Sequence, residues 1–137
     1  MSAVEGIIAA VLSAYPKTQA IYLFGTYGTD SEWPDSDVDI ALLLPPADAK
    51  EIGTLMMSPL RFELEGLLKK DVDLINLRQV STVLQKEIVF SERRIHCAAE
   101  YASEEFEMLV LSFYQKLNQE RAEVLAGGLR DGKFYSI

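Results

Sequence analysis

Residues 24–40 read FGTYGTDSEWPDSDVDI. An apolar run closes at Phe24 on a glycine and a threonine. Ten residues intervene, and Asp37-Val38-Asp39 then opens a second apolar run. In a strand, residues i and i+2 point the same way, roughly 6.5–7 Å apart. Asp37 and Asp39 are therefore expected to aim at one spot, with Val38, Ile40, Leu42 and Leu44 on the opposite face. Two anions held that close repel, and one stays protonated unless a cation neutralises them.

Outward from this stretch, the apolar periodicity lays out the rest of the chain. Val4, Ile7, Ile8, Val11 and Leu12 fall at helical spacing, with Ser2 as a cap and Pro16 just past the end. Residues 20–24 (AIYLF) form a first strand stopped by Gly25. Residues 37–44 (DVDIALLL) form a second, closed by Pro45-Pro46. Residues 47–69 read as helix, bent or broken at Gly53 and Pro59, and residues 72–77 (VDLINL) as the third strand. Residues 79–90 fit a helix, and residues 94–97 (RIHC) a fourth, edge strand. From about Ser103 a long helix places Phe106, Leu109, Val110, Phe113, Leu117 and Val124 on one stripe, most simply a core-facing one whose far end can extend beyond the sheet. Ala126-Gly127-Gly128 should end it.

Strands and helices alternate, yet the first two strands are joined by only a dozen residues. That is short for a parallel crossover carrying a full helix. The expected architecture is an α+β domain with a short mixed β-sheet flanked by helices. The 137 residues suit a single domain, with a core of about residues 1–99 and a C-terminal helix and tail of about 100–137.

A third carboxylate, Asp73, opens the third strand, where a neighbouring strand could bring it beside the pair. Asp71 shares its face but lies farther out. Acidic residues commonly begin strands as solvated ends, so each carboxylate motif alone leaves two readings open: a solvated strand end or a cation site. A hard divalent cation with oxygen ligands is the natural neutraliser, and Mg²⁺ usually takes one or two carboxylates plus phosphate oxygens. Gly25, directly after a strand, lets backbone amides approach a phosphate, Thr26 adds a hydroxyl, and Gly28 a second flexible point. The combination points to phosphoryl or nucleotidyl transfer.

Composition narrows the classes further. A formal net charge of −8 lacks the basic face that phosphate-driven nucleic-acid binding needs, and it suits a basic protein partner. Cys97 is the only cysteine, so no intrachain disulfide forms and a reducing cytoplasm is the expected location. The first residues lack a signal-peptide pattern, and no window approaches the roughly 18 apolar residues of a membrane helix.

Gly-Thr, ten residues, then Asp-Val-Asp resembles the glycine–serine, ten residues, Asp-x-Asp signature of the nucleotidyltransferases of the DNA polymerase beta superfamily. More closely, the chain is similar to the minimal nucleotidyltransferases of prokaryotic HEPN–MNT toxin–antitoxin systems. AIYLFGTYGTDSEWPDSDVDIALLLP and DVDLINLRQVSTVLQKEIV carry the likeness, over about residues 21–87. The resemblance implies a nucleotidyltransferase fold binding ATP with Mg²⁺, two metals by analogy. Gly25 and Thr26 would hold the triphosphate, with Ser36 a further contact. Asp37, Asp39 and Asp73 would bind metal, Asp73 also helping to deprotonate an acceptor hydroxyl. Thr26 stands where serine is usual and keeps the hydroxyl. The Ala-Arg-Gly run of many relatives is replaced by Gly28-Thr29-Asp30, which offers no arginine.

The motif-bearing unit fills most of the chain, leaving no domain for a small-molecule acceptor pocket. The resemblance supplies an acceptor on another chain, a tyrosine of a HEPN ribonuclease toxin silenced by AMP. The alternative is a non-catalytic antitoxin acting by occlusion. Four other residues are read first as structural: His96 as core or surface, Cys97 as a small core residue, and Arg93-Arg94 as a solvated turn, with reach to a nucleotide as the alternative. Trp33 either packs over a short helix or covers a ligand.

Overall fold

The computed structural model describes residues 2–131 except 26, 28, 30, 31, 35 and 92, with side chains of the C-terminal helix described as far as Val124. Helix α1 spans Ala3–Ala14 and starts where Ser2 Oγ accepts the Glu5 N–H at 3.1 Å. That bond satisfies one of the orphan donors of the first turn. Strands β1 (Ala20–Phe24) and β2 (Val38–Leu43) follow, then helices α2 (Pro46–Ile52) and α3 (Pro59–Leu68), and strand β3 (Val72–Asn76). A 3₁₀ turn at Leu77–Gln79 leads to α4 (Thr82–Phe90), β4 (Arg94–Cys97) and α5 (Glu100–Asp131).

The break expected at Gly53 and Pro59 is real. Gly53, at φ +67°, ends α2, and Pro59 occupies the first turn of α3 behind the Ser58 cap. Helix α4 begins three residues later than periodicity suggests, because Ser81 caps it and accepts the Leu84 N–H at 3.3 Å.

Among the described residues the strands form one sheet in the order β3-β2-β1-β4. β1 and β2 pair antiparallel, as the short connection requires, while α2 and α3 carry the chain over to a β3 parallel to β2. β4 runs antiparallel along the free edge of β1, with a register shift between Ile21 and Tyr22. The sheet is mixed and the class is α+β, as expected.

Alternation then divides the core. Ile21, Leu23, Val38, Ile40, Leu42 and Leu74 bury against α1, α2 and α3 on one face. Ala20, Tyr22, Ala41 and Leu43 bury against Leu77, Ile88, Phe106 and Val110 on the other. Burial of this kind supplies most of the folding free energy, at about 25 cal/mol per Å² of apolar surface.

One expectation for α5 needs correction. The helix continues through Ala126-Gly127-Gly128 to Asp131. Glycine costs a helix interior about 1 kcal/mol but forbids nothing sterically. The far end of the stripe does extend beyond the core: Phe106 and Val110 are buried, whereas Leu109, Phe113 and Val124 are exposed. The sheet is short, so the helix outruns the surface it packs on.

Candidate active site

The parallel register of β2 and β3 sets Asp39 directly beside Asp73. Neighbouring strands lie about 4.8 Å apart, so the two carboxylates share one face of the sheet at the entry of both strands. The antiparallel register of β1 and β2 puts Phe24 opposite Asp39, so Gly25 turns away at the same end. Gly25 has φ +72°, a conformation that side-chain-bearing residues rarely adopt. A Cβ there would fall on Oδ2 of Asp39 and stand 3.2 Å from its Cγ. Glycine is required twice over, by backbone conformation and by the carboxylate.

Asp37 lies just before β2 and is exposed, while Asp39 and Asp73 are half-buried. The Asp39 carboxyl is pushed up from its ordinary value near 3.8 to about 6. Burial is the largest cause, followed by the charge of Asp73, a hydrogen bond with Asp73, and the charge of Asp37. Asp71 is exposed, and its carbonyl accepts the Val38 N–H at 2.9 Å, extending the parallel pairing.

The donor set fits a hard cation. It is oxygen-only and anionic, and among the described residues no ion pair reaches Asp37, Asp39 or Asp73. Nor do three ligating side chains among those residues already converge as a metal-holding group. A cation that draws part of its shell from phosphate oxygens needs only one or two of the carboxylates.

Of the remaining expected site residues, Ser36 is buried, and its Oγ accepts the Trp33 N–H at 3.0 Å while its own N–H donates to the Trp33 carbonyl at 3.0 Å. It braces the turn ahead of the aspartates. Thr26 and Gly28 lie outside the described residues. Trp33 is 69% exposed. Lys70 reaches the same loop, pairing with Glu32 at 2.9 Å and lying 5.9 Å from the centre of the Tyr27 ring.

Arg93-Arg94 is not a solvated turn. Arg93 donates to the carbonyl oxygens of Gly25, at 3.2 Å, and of Tyr27. Arg94 pairs with Glu107 of α5 at 2.8 Å, and Glu107 also accepts the buried Tyr22 hydroxyl at 3.3 Å. Nothing in residues 91–94 signals these partners, because they are 13 to 68 positions away along the chain. His96 is half-buried, and no described residue hydrogen-bonds its Nε2.

A glycine at the end of one strand and two register-matched aspartates on the next two form the arrangement that a nucleotidyltransferase needs. The family model of polymerase beta nucleotidyltransferases matches residues 7–101. The chain belongs to that family. The nucleotidyltransferase is 34% identical over 119 residues to the protein adenylyltransferase MntA of Shewanella oneidensis, covering 87% of this chain and 82% of the relative. Its fold is similar to that in the crystal structure of a toxin–antitoxin with AMP-PNP, at TM-score 0.71 and 32% identity, over 92% of this chain and 98% of the other. It is also similar to a chain in the complex of the tri-AMPylated Shewanella oneidensis HEPN toxin with its MNT antitoxin. There the TM-score is 0.66 at 31% identity, over 93% of this chain and 96% of the other. The region matched by the family model contains every element from β1 to β4 and so the whole candidate site.

Proposed function

We propose that this chain is an antitoxin that transfers AMP from ATP to a tyrosine hydroxyl of a cognate HEPN ribonuclease toxin in the cytoplasm, and so silences it. The observation carrying this reading is the pairing of Asp39 with Asp73 beside a glycine that only glycine can fill. The likeness to an adenylyltransferase and to toxin–antitoxin complexes over nearly the full length of both chains supports the acceptor and the partner. We take the chain as one domain, with a core of about residues 1–99 and a C-terminal helix and tail of about 100–137.

In this reading Gly25 and Thr26 hold the triphosphate, and Ser36 keeps the approach to the aspartates in shape. Asp37, Asp39 and Asp73 are the residues that would hold Mg²⁺, as one or two ions. Bound there, the cation would offset the triphosphate charge and make the acceptor hydroxyl more acidic. The hydroxyl proton passes to the Asp73 carboxylate as the tyrosine oxygen forms its bond to the α-phosphorus. The bond from that phosphorus to the bridging oxygen breaks, and pyrophosphate leaves with the electron pair. The half-buried floor of the site keeps Asp39 and Asp73 close enough for their charges to be felt, which prepares them for a cation.

The test is to incubate the chain with its neighbouring toxin, ATP and Mg²⁺, and to weigh the toxin. A mass increase by one or more AMP units on tyrosine is expected. An unmodified toxin that is nonetheless neutralised would replace the enzymatic reading with occlusion.

A further inference from the structure

The loop that leaves β1, residues 25–36, contains Asp30, Glu32 and Asp35 and no lysine or arginine. A loop of that charge repels a triphosphate unless a cation is brought to it from elsewhere. Arg93, in the turn before β4, comes back to it. Its guanidinium donates to the carbonyls of Gly25, at 3.2 Å, and Tyr27, spanning 68 and 66 residues of sequence. The base of the side chain is fixed as well. The Leu23 N–H donates to the Arg93 carbonyl at 2.9 Å. The turn is thus stitched to the end of β1, two residues before Gly25.

We propose that Arg93 is a positioning residue for the nucleotide, holding the glycine loop in its phosphate-accepting shape by gripping two of its carbonyls. This inference rests on the nucleotidyltransferase reading given above. Gripping the Gly25 and Tyr27 carbonyls ties the start of the loop at two points to the segment that leads into β4. A planar guanidinium carries five donors in a rigid fork and can hold two carbonyls at once, whereas a lysine ammonium lacks that geometry. Its charge also offsets part of the loop's acidity.

The test measures ATP affinity by calorimetry in Mg²⁺ for the parent chain, Arg93→Ala and Arg93→Lys, with melting temperatures alongside. Arg93→Ala is expected to weaken ATP binding by about 10- to 100-fold, in line with the loss of hydrogen bonds from a charged donor. Arg93→Lys, which keeps the charge without the fork, should recover only part of that and serves as the readout if Arg93→Ala unfolds. Added guanidinium ion should restore affinity to Arg93→Ala, an effect that a general loss of packing would not show. Parent-like affinity in both variants, or a loss that guanidinium leaves untouched, overturns the inference while the functional reading stands. A parent chain that binds no ATP overturns the functional reading and this inference with it.

Discussion

Gly25 and Asp39 occupy adjoining space so tightly that a methyl group on the glycine would fall on the carboxylate oxygen. The end of β1 and the start of β2 are therefore locked to each other through the candidate site, and a change at either is felt at both. Gly25→Ala faces a positive φ and the Asp39 oxygen together. It is expected to lower unfolding stability by about 1–3 kcal/mol and to abolish AMP transfer. A denaturant titration beside a transfer assay checks both. Full activity in the variant would show that Asp39 need not sit where it does.

Asp39→Asn separates catalysis from stability. The folded state holds a proton on Asp39 up to about pH 6, whereas the unfolded chain releases it near 3.8. Ionisation is thus disfavoured by folding, and the stability of the metal-free protein should fall as pH rises from about 4 to about 6 through this group. Asparagine resembles the protonated form. Above pH 6, in chelator, the variant should melt at or above the parent temperature, with the difference vanishing near pH 4. Transfer should be lost throughout. A large drop in melting temperature with activity retained would make the aspartate structural.

Cation and proton compete for the same carboxylate. ATP binding should need Mg²⁺ and should weaken as pH falls below about 6, where Asp39 becomes protonated. Calorimetry in buffers of different ionisation enthalpy should find proton release on binding near pH 5.5 and much less near pH 7.5. Equal affinity in chelator would count decisively against a carboxylate cation site.

Arg61 tests how the third aspartate is held. Its guanidinium donates to the carbonyls of Val72, at 2.9 Å, and Met56, at 2.9 Å, while Glu65 accepts the Val72 N–H at 3.0 Å. These bonds tie α3 to the residue before Asp73. Arg61→Ala should lower stability by about 1–3 kcal/mol through its half-buried partners. Transfer should fall far less than in Asp73→Asn. Comparable losses of transfer in the two variants would place Arg61 in the chemistry rather than in the scaffold.

The Asp37→Ala/Asp39→Ala double variant addresses how the toxin is neutralised. A specific interface needs on the order of 1,000 Å² or more, which a few acidic oxygens at strand ends do not supply. Recognition must lie elsewhere, and the exposed Met108, Leu109 and Phe113 of α5 with the neighbouring Glu104 and Glu105 offer such a surface. The variant should therefore still bind the toxin but fail to protect cells. Full protection, with no AMP on the toxin, would establish occlusion.

Much of this was legible one residue at a time. Ser2 caps α1, Gly25 and Gly53 take the positive φ that ends their elements, and period-two alternation sorts Val38, Ile40 and Leu42 from Asp39. Such signals are local because they arise from steric and hydrogen-bonding preferences within a turn or a strand. The aspartate pair and the glycine before it are of that kind, which is why the spacing in residues 24–40 points to the chemistry. The meeting of Asp39 with Asp73 is of another kind. It depends on a parallel register between strands separated by two helices, and register is set by which faces bury, across distances that no short window contains. The reach of Arg93 to Gly25 and Tyr27 depends in turn on β4 folding back along β1, and the exposure of α5 beyond Val110 on how far the sheet extends beneath it. A side chain's type is written in the chain, but its partner is fixed only when distant segments compete for the same buried surface and one packing wins.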